Sequence, residues 1–425
     1  MIWFALPTWI SWTFLVLLGA FLGAAANWLS DVLAWQPRQI SPWYPADHGR
    51  RRSWAEYLPI IGWLLRISDG GRHGRFFWLR PLTVELICAI AVPLLYWWEV
   101  IEAGLIPFGA PRPPQGVLHA IFVRHLMLIF FMLVASLIDW DEKLIPDSVT
   151  VPGTLLALIL AASLPSSQLP HISMPRSIFE VDHVPEVRKP EYGFLTFSAP
   201  YDWPKSFGGQ PHGHGLSLGL ACWWLWCFAL MPRRWYRRKG FWKSLKMMCA
   251  RLYRSRVTGG LAVMGLIGSA GILFSWIAGG VHWQGLLSAL VGMAASAVLA
   301  WVVRIVGSMV LDREALGFGD VTLMAMLGAY LGWQPGIILF FLAPFAGLIV
   351  AVVILVLHQE TEIPYGPFLC LGALATILFW RPIWEFASRV FELGFILLLL
   401  AAACLVLLAL LLLVIRFIRE KVLGI

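Results

Sequence analysis

Two acidic stretches, far apart in the chain, carry residue types that could do chemistry together. The first runs Ser136-Leu137-Ile138-Asp139-Trp140-Asp141-Glu142-Lys143-Leu144-Ile145-Pro146-Asp147. The second runs Ala315-Leu316-Gly317-Phe318-Gly319-Asp320-Val321-Thr322-Leu323. Each sets a carboxylate at the end of an apolar run, where an ionisable side chain is costly and calls for a named partner. The chemistry such a pair performs is acid–base hydrolysis. Two carboxylates a few ångströms apart do not both ionise readily, so one keeps a proton. The ionised one takes a proton from water, and the protonated one polarises a carbonyl. Such a reaction requires no metal and no covalent intermediate. Gly317 and Gly319 remove side chains beside Asp320, which would let a substrate backbone approach. Pro146 fits the start of a helix after a short turn. A plainer role stands beside this one: Asp147 and Asp320 each fit a helix N-terminus, where aspartate caps well. A lone GxGD decides little. Two carboxylates at equal membrane depth favour catalysis, with Asp141 the rival of Asp139 for the first position.

The elements that must position these groups are membrane helices. Only 13% of the 425 residues are charged and 59% are hydrophobic, against roughly 25% charged in a soluble domain. The bilayer must therefore act as solvent. Trp occurs 24 times, as expected where amphipathic rings sit at headgroups. Continuous apolar runs predict an all-α polytopic bundle of about 8–11 membrane helices rather than a barrel. They lie near 9–30, 83–106, 119–138, 149–164, 216–232, 261–279, 285–311, 321–333, 336–357, 368–380 and 391–415. The first run lacks a basic start and is too long for an ordinary signal-peptide core, so it reads as a retained helix.

Basic residues set the orientation. Arginines between 31 and 82, the Lys/Arg-rich stretch 233–260, and Arg416, Arg419 and Lys421 all fall on one side when crossings alternate. Positive loops stay in the cytosol, so Asp139 and Asp320 belong at the cytosolic face. Clustering of the +8 net charge between apolar spans points to membrane orientation and away from nucleic acid. The six cysteines form no CxxC pair and read as packing residues. His212 and His214 lack further ligands at metal-site spacing and read as linker. The resulting organisation has three parts. Residues 1–118 hold N-terminal helices and an Arg-rich cytosolic loop. Residues 119–380 form the core, interrupted by a polar extracytoplasmic insert at 165–215 and the basic segment 233–260. Residues 381–425 add a C-terminal helix.

Taken together, these motifs resemble the type IV prepilin peptidases, a branch of the GxGD aspartyl proteases. That family's Asp followed by Ile-Pro-Asp corresponds to Asp139 and Ile145-Pro146-Asp147. Its GxGD corresponds to Gly317-Phe318-Gly319-Asp320, and its Pro-Phe-Gly-Pro-like stretch to Ile363-Pro364-Tyr365-Gly366-Pro367-Phe368. Gly19-Ala20-Phe21-Leu22-Gly23 with Asn27, Glu56 to Leu64, and Arg80 to Leu86 resemble its N-terminal region. The resemblance implies that Asp139 and Asp320 are the catalytic dyad. Asp147, Pro146, Gly317, Gly319, Pro364, Gly366 and Pro367 would support it. It implies cleavage of leader peptides from prepilin or pseudopilin precursors, at the cytosolic face of a bacterial inner membrane. Pilus or type II secretion machinery would be further partners, and the peptidase would need no cofactor. Many relatives also methylate the new N-terminus with S-adenosylmethionine, which this chain would need only if that activity is retained.

The sequence departs from the pattern in three ways. The first cytosolic loop has no CxxC pair, and His48 and His73 alone make no zinc site. Thr322 stands where relatives often have Lys. The insert, the basic segment and the last helix are additions. Two other classes compete with the enzyme: a proton- or cation-coupled transporter, whose carboxylates belong near the bilayer midplane, and an inactive secretion scaffold.

Overall fold

The computed structural model describes residues 7–38, 40–44, 53–67, 74, 76–173, 194–197, 213–231, 246–247, 250, 254–311, 314, 316–357 and 364–421. Its elements are nearly all helical: α1 (Thr8–Leu33), α2 (Ile61–Leu65), α3 (Leu79–Tyr96), α4 (Gln115–Glu142), α5 (Asp147–Ser163), α6 (Gly213–Leu230) and α7 (Arg256–Ala278). There follow α8 (Gly280–Leu311), α9 (Phe318–Leu331), α10 (Trp333–Leu357), α11 (Gly366–Leu378), α12 (Trp380–Phe391) and α13 (Phe395–Lys421). A small antiparallel pair, β1 (His171–Ser173) and β2 (Phe194–Thr196), sets His171 opposite Thr196. Both strands lie within the expected insert 165–215. Most of that insert, His212 included, and most of 233–260 lie outside the described residues, as do His48 and His73.

Six described helices are long and apolar enough to cross a bilayer, and the bent pair α11–α12 makes a seventh if counted as one span. The protein is therefore a multi-pass membrane protein. The sequence-based count of helices includes three shorter ones as well: α5, α9 and the first part of α10. At 14 residues, α9 is roughly 21 Å long, less than the ~30 Å hydrocarbon thickness. It survives because other helices surround it. Every residue from Asp320 to Leu331 is buried. Helix α8 approaches α9 so closely that a Cβ on Gly292 or Gly328 would strike the other's carbonyl oxygen. Small residues allow this backbone contact, which drives helix association where lipid is as apolar as the side chains.

Two helices depart from the expected runs. The run at 368–380 does not continue straight. It breaks at Phe379 and turns by 96° into α12. Trp380, Trp384 and Phe391 on α12 stack on one another against the bundle end. Of the two divisions expected from the sequence, 380/381 lies at the start of α12 and 118/119 in the first turn of α4. The second span ends at Ile101 rather than 106, in a π-helical turn (Trp97–Ile101) that follows Pro93. A proline inside a helix removes a backbone donor and favours such a local change of pitch.

Two polar contacts fix the end of the bundle opposite the acidic stretches. Arg124 on α4 donates from Nε to the Tyr330 carbonyl and from Nη2 to that of Ala329, both at 2.9 Å. These carbonyls at the C-terminus of α9 have no partner in their own helix, and a cation there complements the helix dipole. His125 Nδ1 meets the Glu99 carboxylate at 2.7 Å, with both side chains fully buried.

Candidate active site

Three chain turns meet at the other end of the bundle. The first is the tail of α4. Lys143 adopts a left-handed conformation (φ 54°) and donates its N–H to the Asp139 carbonyl at 2.8 Å, which ends the helix. Pro146, extended, caps the start of α5. Asp139 thus lies in the last turn of α4 and points inward, only 5% exposed.

The second turn carries Asp320, third residue of α9 and 8% exposed. It accepts the Gly317 N–H at 3.1 Å. This is half of a capping box; the other half needs a side chain that glycine lacks. Arg304 on α8 braces the turn. Its Nε donates to the Leu316 carbonyl at 2.9 Å, and its guanidinium lies over the Phe318 ring at 5.7 Å.

The third turn is Pro364-Tyr365-Gly366-Pro367, which opens α11. Gly366 donates its N–H to Asp139 Oδ2 at 3.0 Å. A Cβ there would sit 2.5 Å from the same oxygen, so glycine is required. Pro367 lies in the first turn of α11, where its missing N–H costs nothing.

The structure therefore brings Asp139, Asp320 and Gly366 together from segments far apart in sequence. The two carboxylates are near enough for the charge of Asp139 to act on Asp320, and both charges reach Cys370, one turn into α11. Tyr365 completes the group. Burial first, and then the Asp320 charge, push its phenol up to about 12, so it is a hydrogen-bond donor at neutral pH.

Other expected residues take different roles. Gly319 does not open space for a substrate: a Cβ there would lie 2.9 Å from the Ile145 carbonyl oxygen and from Ile145 Cβ. Its backbone presses on Ile145, whose Cδ1 would be 2.7 Å from a Cβ on Gly366. Ile145 is thus a buried wedge between the second and third turns. Thr322 is buried and donates to the Gly319 carbonyl at 3.0 Å. Asp147 is exposed in the first turn of α5. Asp141 faces away from the group and pairs with Arg38 at 3.1 Å and with Arg80. Glu142 beside it accepts the N–H groups of Trp35 and Gln36 at 2.7 and 2.9 Å.

Sequence reasoning overlooked Arg304, read Cys370 only as a packing residue, and read Ile145 and Tyr365 only as motif letters. Arg304 did carry a signal, since an arginine within an apolar helix is rare and usually paired. Cys370 carried none, because small apolar residues fill such helices.

No group of three or more metal-ligand side chains gathers among the described residues. The described part of the segment between α1 and α3 is tied to Glu85 on α3. Glu85 accepts from Ile60 N, from Trp63 Nε1 at 2.7 Å and from Asn27 Nδ2. Beside Gly62, the Glu56 carbonyl fills the space a Cβ would take.

Comparison with known proteins places this arrangement. A sequence profile described as "Type IV leader peptidase family" matches residues 126–180 and 251–352, which include α4 from Leu126 onward, α5, α7, α8, α9 and part of α10. The "Prepilin leader peptidase/N-methyltransferase" of Aeromonas salmonicida (strain A449) is 32% identical over 111 residues, 25% of this chain and 37% of that protein. Its namesake from Burkholderia pseudomallei (strain 1026b) is 34% identical over 104 residues, covering 23% and 33%. The "Type 4 prepilin-like proteins leader peptide-processing enzyme" of Escherichia coli O78:H11 is 39% identical over 116 residues, covering 23% and 40%. The chain thus spans between a third and two fifths of the length of these relatives. No solved structure matches it.

Proposed function

From a membrane core that carries the type IV leader peptidase signature, we propose that this chain is an aspartic endopeptidase that removes the leader from prepilin-like or pseudopilin precursors. The observation that carries the reading is the meeting of Asp139 and Asp320, each buried, within electrostatic reach and, among the described residues, held by a single backbone N–H.

In the proposed reaction, water lies between the two carboxylates. The ionised member accepts a proton as the oxygen attacks the scissile carbonyl carbon. The protonated member donates its proton to the carbonyl oxygen, giving a neutral tetrahedral species. When the C–N bond breaks, the protonated carboxyl gives its proton to the departing amine, and the ionised one takes a hydroxyl proton as the carbonyl reforms, which restores the dyad to one proton. The Gly366 and Gly317 N–H groups orient the carboxylates, which is worth much in rate because misplacement by ~1 Å can cost ~100-fold. Tyr365, protonated, offers a further donor beside Asp320. Asp147, Pro146, Pro364 and Pro367 shape the turns that carry these groups.

The distribution of basic residues supports a cytosolic side for this end of the bundle, and the likeness to prepilin leader peptidases supports a bacterial inner membrane. A precursor would then lie with its apolar helix in the bilayer and its basic leader in the cytosol. Pilus or secretion machinery would be downstream partners. Both carboxylates sit at the end of the bundle, which disfavours a transporter with a midplane site.

The test is processing of a co-expressed prepilin-like precursor, with membrane insertion checked for each variant. Cleavage by the unaltered chain and none by inserted Asp139→Asn or Asp320→Asn is the expected result. Cleavage by either variant at the normal rate would remove the dyad. No cleavage of any precursor by the unaltered chain would remove the peptidase reading.

A further inference from the structure

Membrane-spanning helices must show apolar side chains to lipid. The described part of the segment between α1 and α3 holds no helix long enough to span, yet it shows them too. Its 3₁₀ turn (Trp54–Tyr57) and α2 bury Gly62 and Trp63. They leave Trp54 76%, Leu64 49%, Leu65 49%, Ile61 45%, Ile67 44% and Tyr57 43% exposed. A water-facing loop would be expected to carry polar residues in these places.

The depth of the segment explains the pattern. It is folded back along the spans rather than hanging beyond them. The Trp43 ring packs on Phe21 at 5.7 Å and on Trp28 at 6.1 Å. Phe21 is twelve residues before the end of α1 at Leu33, or about 18 Å along the helix. Ile60 N and Trp63 Nε1 both donate to Glu85, in the second turn of α3. The Trp43 indole in turn donates to the Tyr57 carbonyl at 3.0 Å, which ties the two ends of the segment together. Its apolar face is therefore continuous with the lipid-facing sides of α1 and α3, where Phe21, Ile87 and Ile90 are more than half exposed.

Charge names the partner. Residues 34–80 hold eight arginines against three carboxylates. Arg38 and Arg80 flank the segment with side chains more than two fifths exposed. Aromatic and aliphatic side chains at the acyl boundary with arginines at headgroup level are the composition of an interfacial element. Anionic headgroups attract such a basic surface.

We propose that residues 53–67 lie in the bilayer interface of the leaflet on the dyad side, with Tyr57, Ile61, Leu64 and Leu65 in the acyl boundary and the neighbouring arginines on anionic lipid headgroups. The segment is a lipid-bound shelf beside the dyad. It is joined to the dyad helix through Asp141 and Glu142, which hold Arg38, Arg80 and the backbone at Trp35 and Gln36. A precursor reaching the dyad from the membrane would pass a surface that is itself immersed.

The experiment replaces Leu64 with a fluorescent amino acid by stop-codon suppression, in the full chain reconstituted into vesicles containing phosphatidylglycerol. Leu65 is the second site, in case the first variant fails to fold, and Ile90 on α3 is a mid-span reference. Quenchers are lipids with a spin label high or low on the acyl chain, and iodide in water. The expected result is strongest quenching at Leu64 by the shallow label, several-fold above iodide, with the deep label strongest at Ile90. Dominant quenching by iodide would place the segment in water and overturn the proposal. Protection from every quencher would mean that protein covers the face, a second copy or a partner, and would overturn it equally. Phosphatidylcholine in place of phosphatidylglycerol should shift the Leu64 probe toward iodide; no shift would overturn the headgroup assignment. Precursor cleavage in the same vesicles is a separate readout, so loss of the peptidase reading would leave the depth measurement standing.

Discussion

Asp139 and Asp141 are two residues apart on the last turn of one helix, and their surroundings are opposite. Asp139 faces the core and, among the described residues, accepts a single hydrogen bond. Asp141 faces outward and is held by two arginines, while Glu142 takes two backbone N–H groups. Glu85 is more saturated still, with three donors. Asp320 resembles Asp139, with one N–H from its own turn. A carboxylate with its lone pairs taken is a structural tie, because moving a proton onto it breaks bonds that hold the fold. One with room left can bind water and exchange a proton. At this end of the bundle, bonding separates these carboxylates more cleanly than burial does, since Glu85 at 2% exposure is as buried as Asp139 or Asp320.

The largest effect that tests this contrast is on rate. Asparagine at 139 or 320 keeps the shape and removes the acid–base group, so precursor cleavage should fall by about 10²–10⁴-fold, with the variants still folded by size-exclusion profile. A comparable loss in Asp141→Asn would break the contrast. Next is Gly366→Ala. The added methyl meets Asp139 Oδ2, displacing the carboxylate or its donor. Cleavage should drop ~100-fold, and the precursor concentration for half-maximal rate should change much less. Gly319→Ala tests the wedge rather than the acid. Its methyl meets the backbone of Ile145, an overpacking that should cost about 1–3 kcal/mol, read from the unfolding midpoint in detergent. The smallest effect belongs to Asp141→Asn. Its arginine partners are well exposed, so water screens the pairs, and stability should fall by no more than about 1 kcal/mol with cleavage within a few-fold of normal.

Much of this was legible in the sequence where a single residue type has one cheap explanation. Asp139 and Asp320 stand out because carboxylates at the ends of apolar helices are rare, and the basic clusters order the crossings. Long helices such as α1 and α4 follow from continuous apolar runs, with ends within four residues of expectation. What could not be read depends on contacts between distant segments. Nothing local to Gly319 tells whether its missing side chain serves a substrate or a neighbour; only the position of Ile145 decides. The choice between Asp139 and Asp141 likewise turns on where Arg38 and Arg80 lie, about 100 and 60 residues earlier. The bend between α11 and α12 was hidden because the run 368–380 is apolar through the break. The amphipathic helix beyond it contains Arg381 and Glu385, which read as the end of a span rather than as a turn onto the bundle end.

Arg124 and Asp139 are the two fixed marks on α4. The first grips the last carbonyls of α9, and the second stands beside that helix's first turn. The stretch of α4 between them therefore acts as a gauge, matched in length and angular phase to its antiparallel neighbour. One residue added or removed there would slide the far mark by about 1.5 Å and turn it by about 100°. Either the arginine or the aspartate would then miss its seat. Single substitutions along this stretch need only respect volume, whereas a change in its length would uncouple the two ends of the bundle.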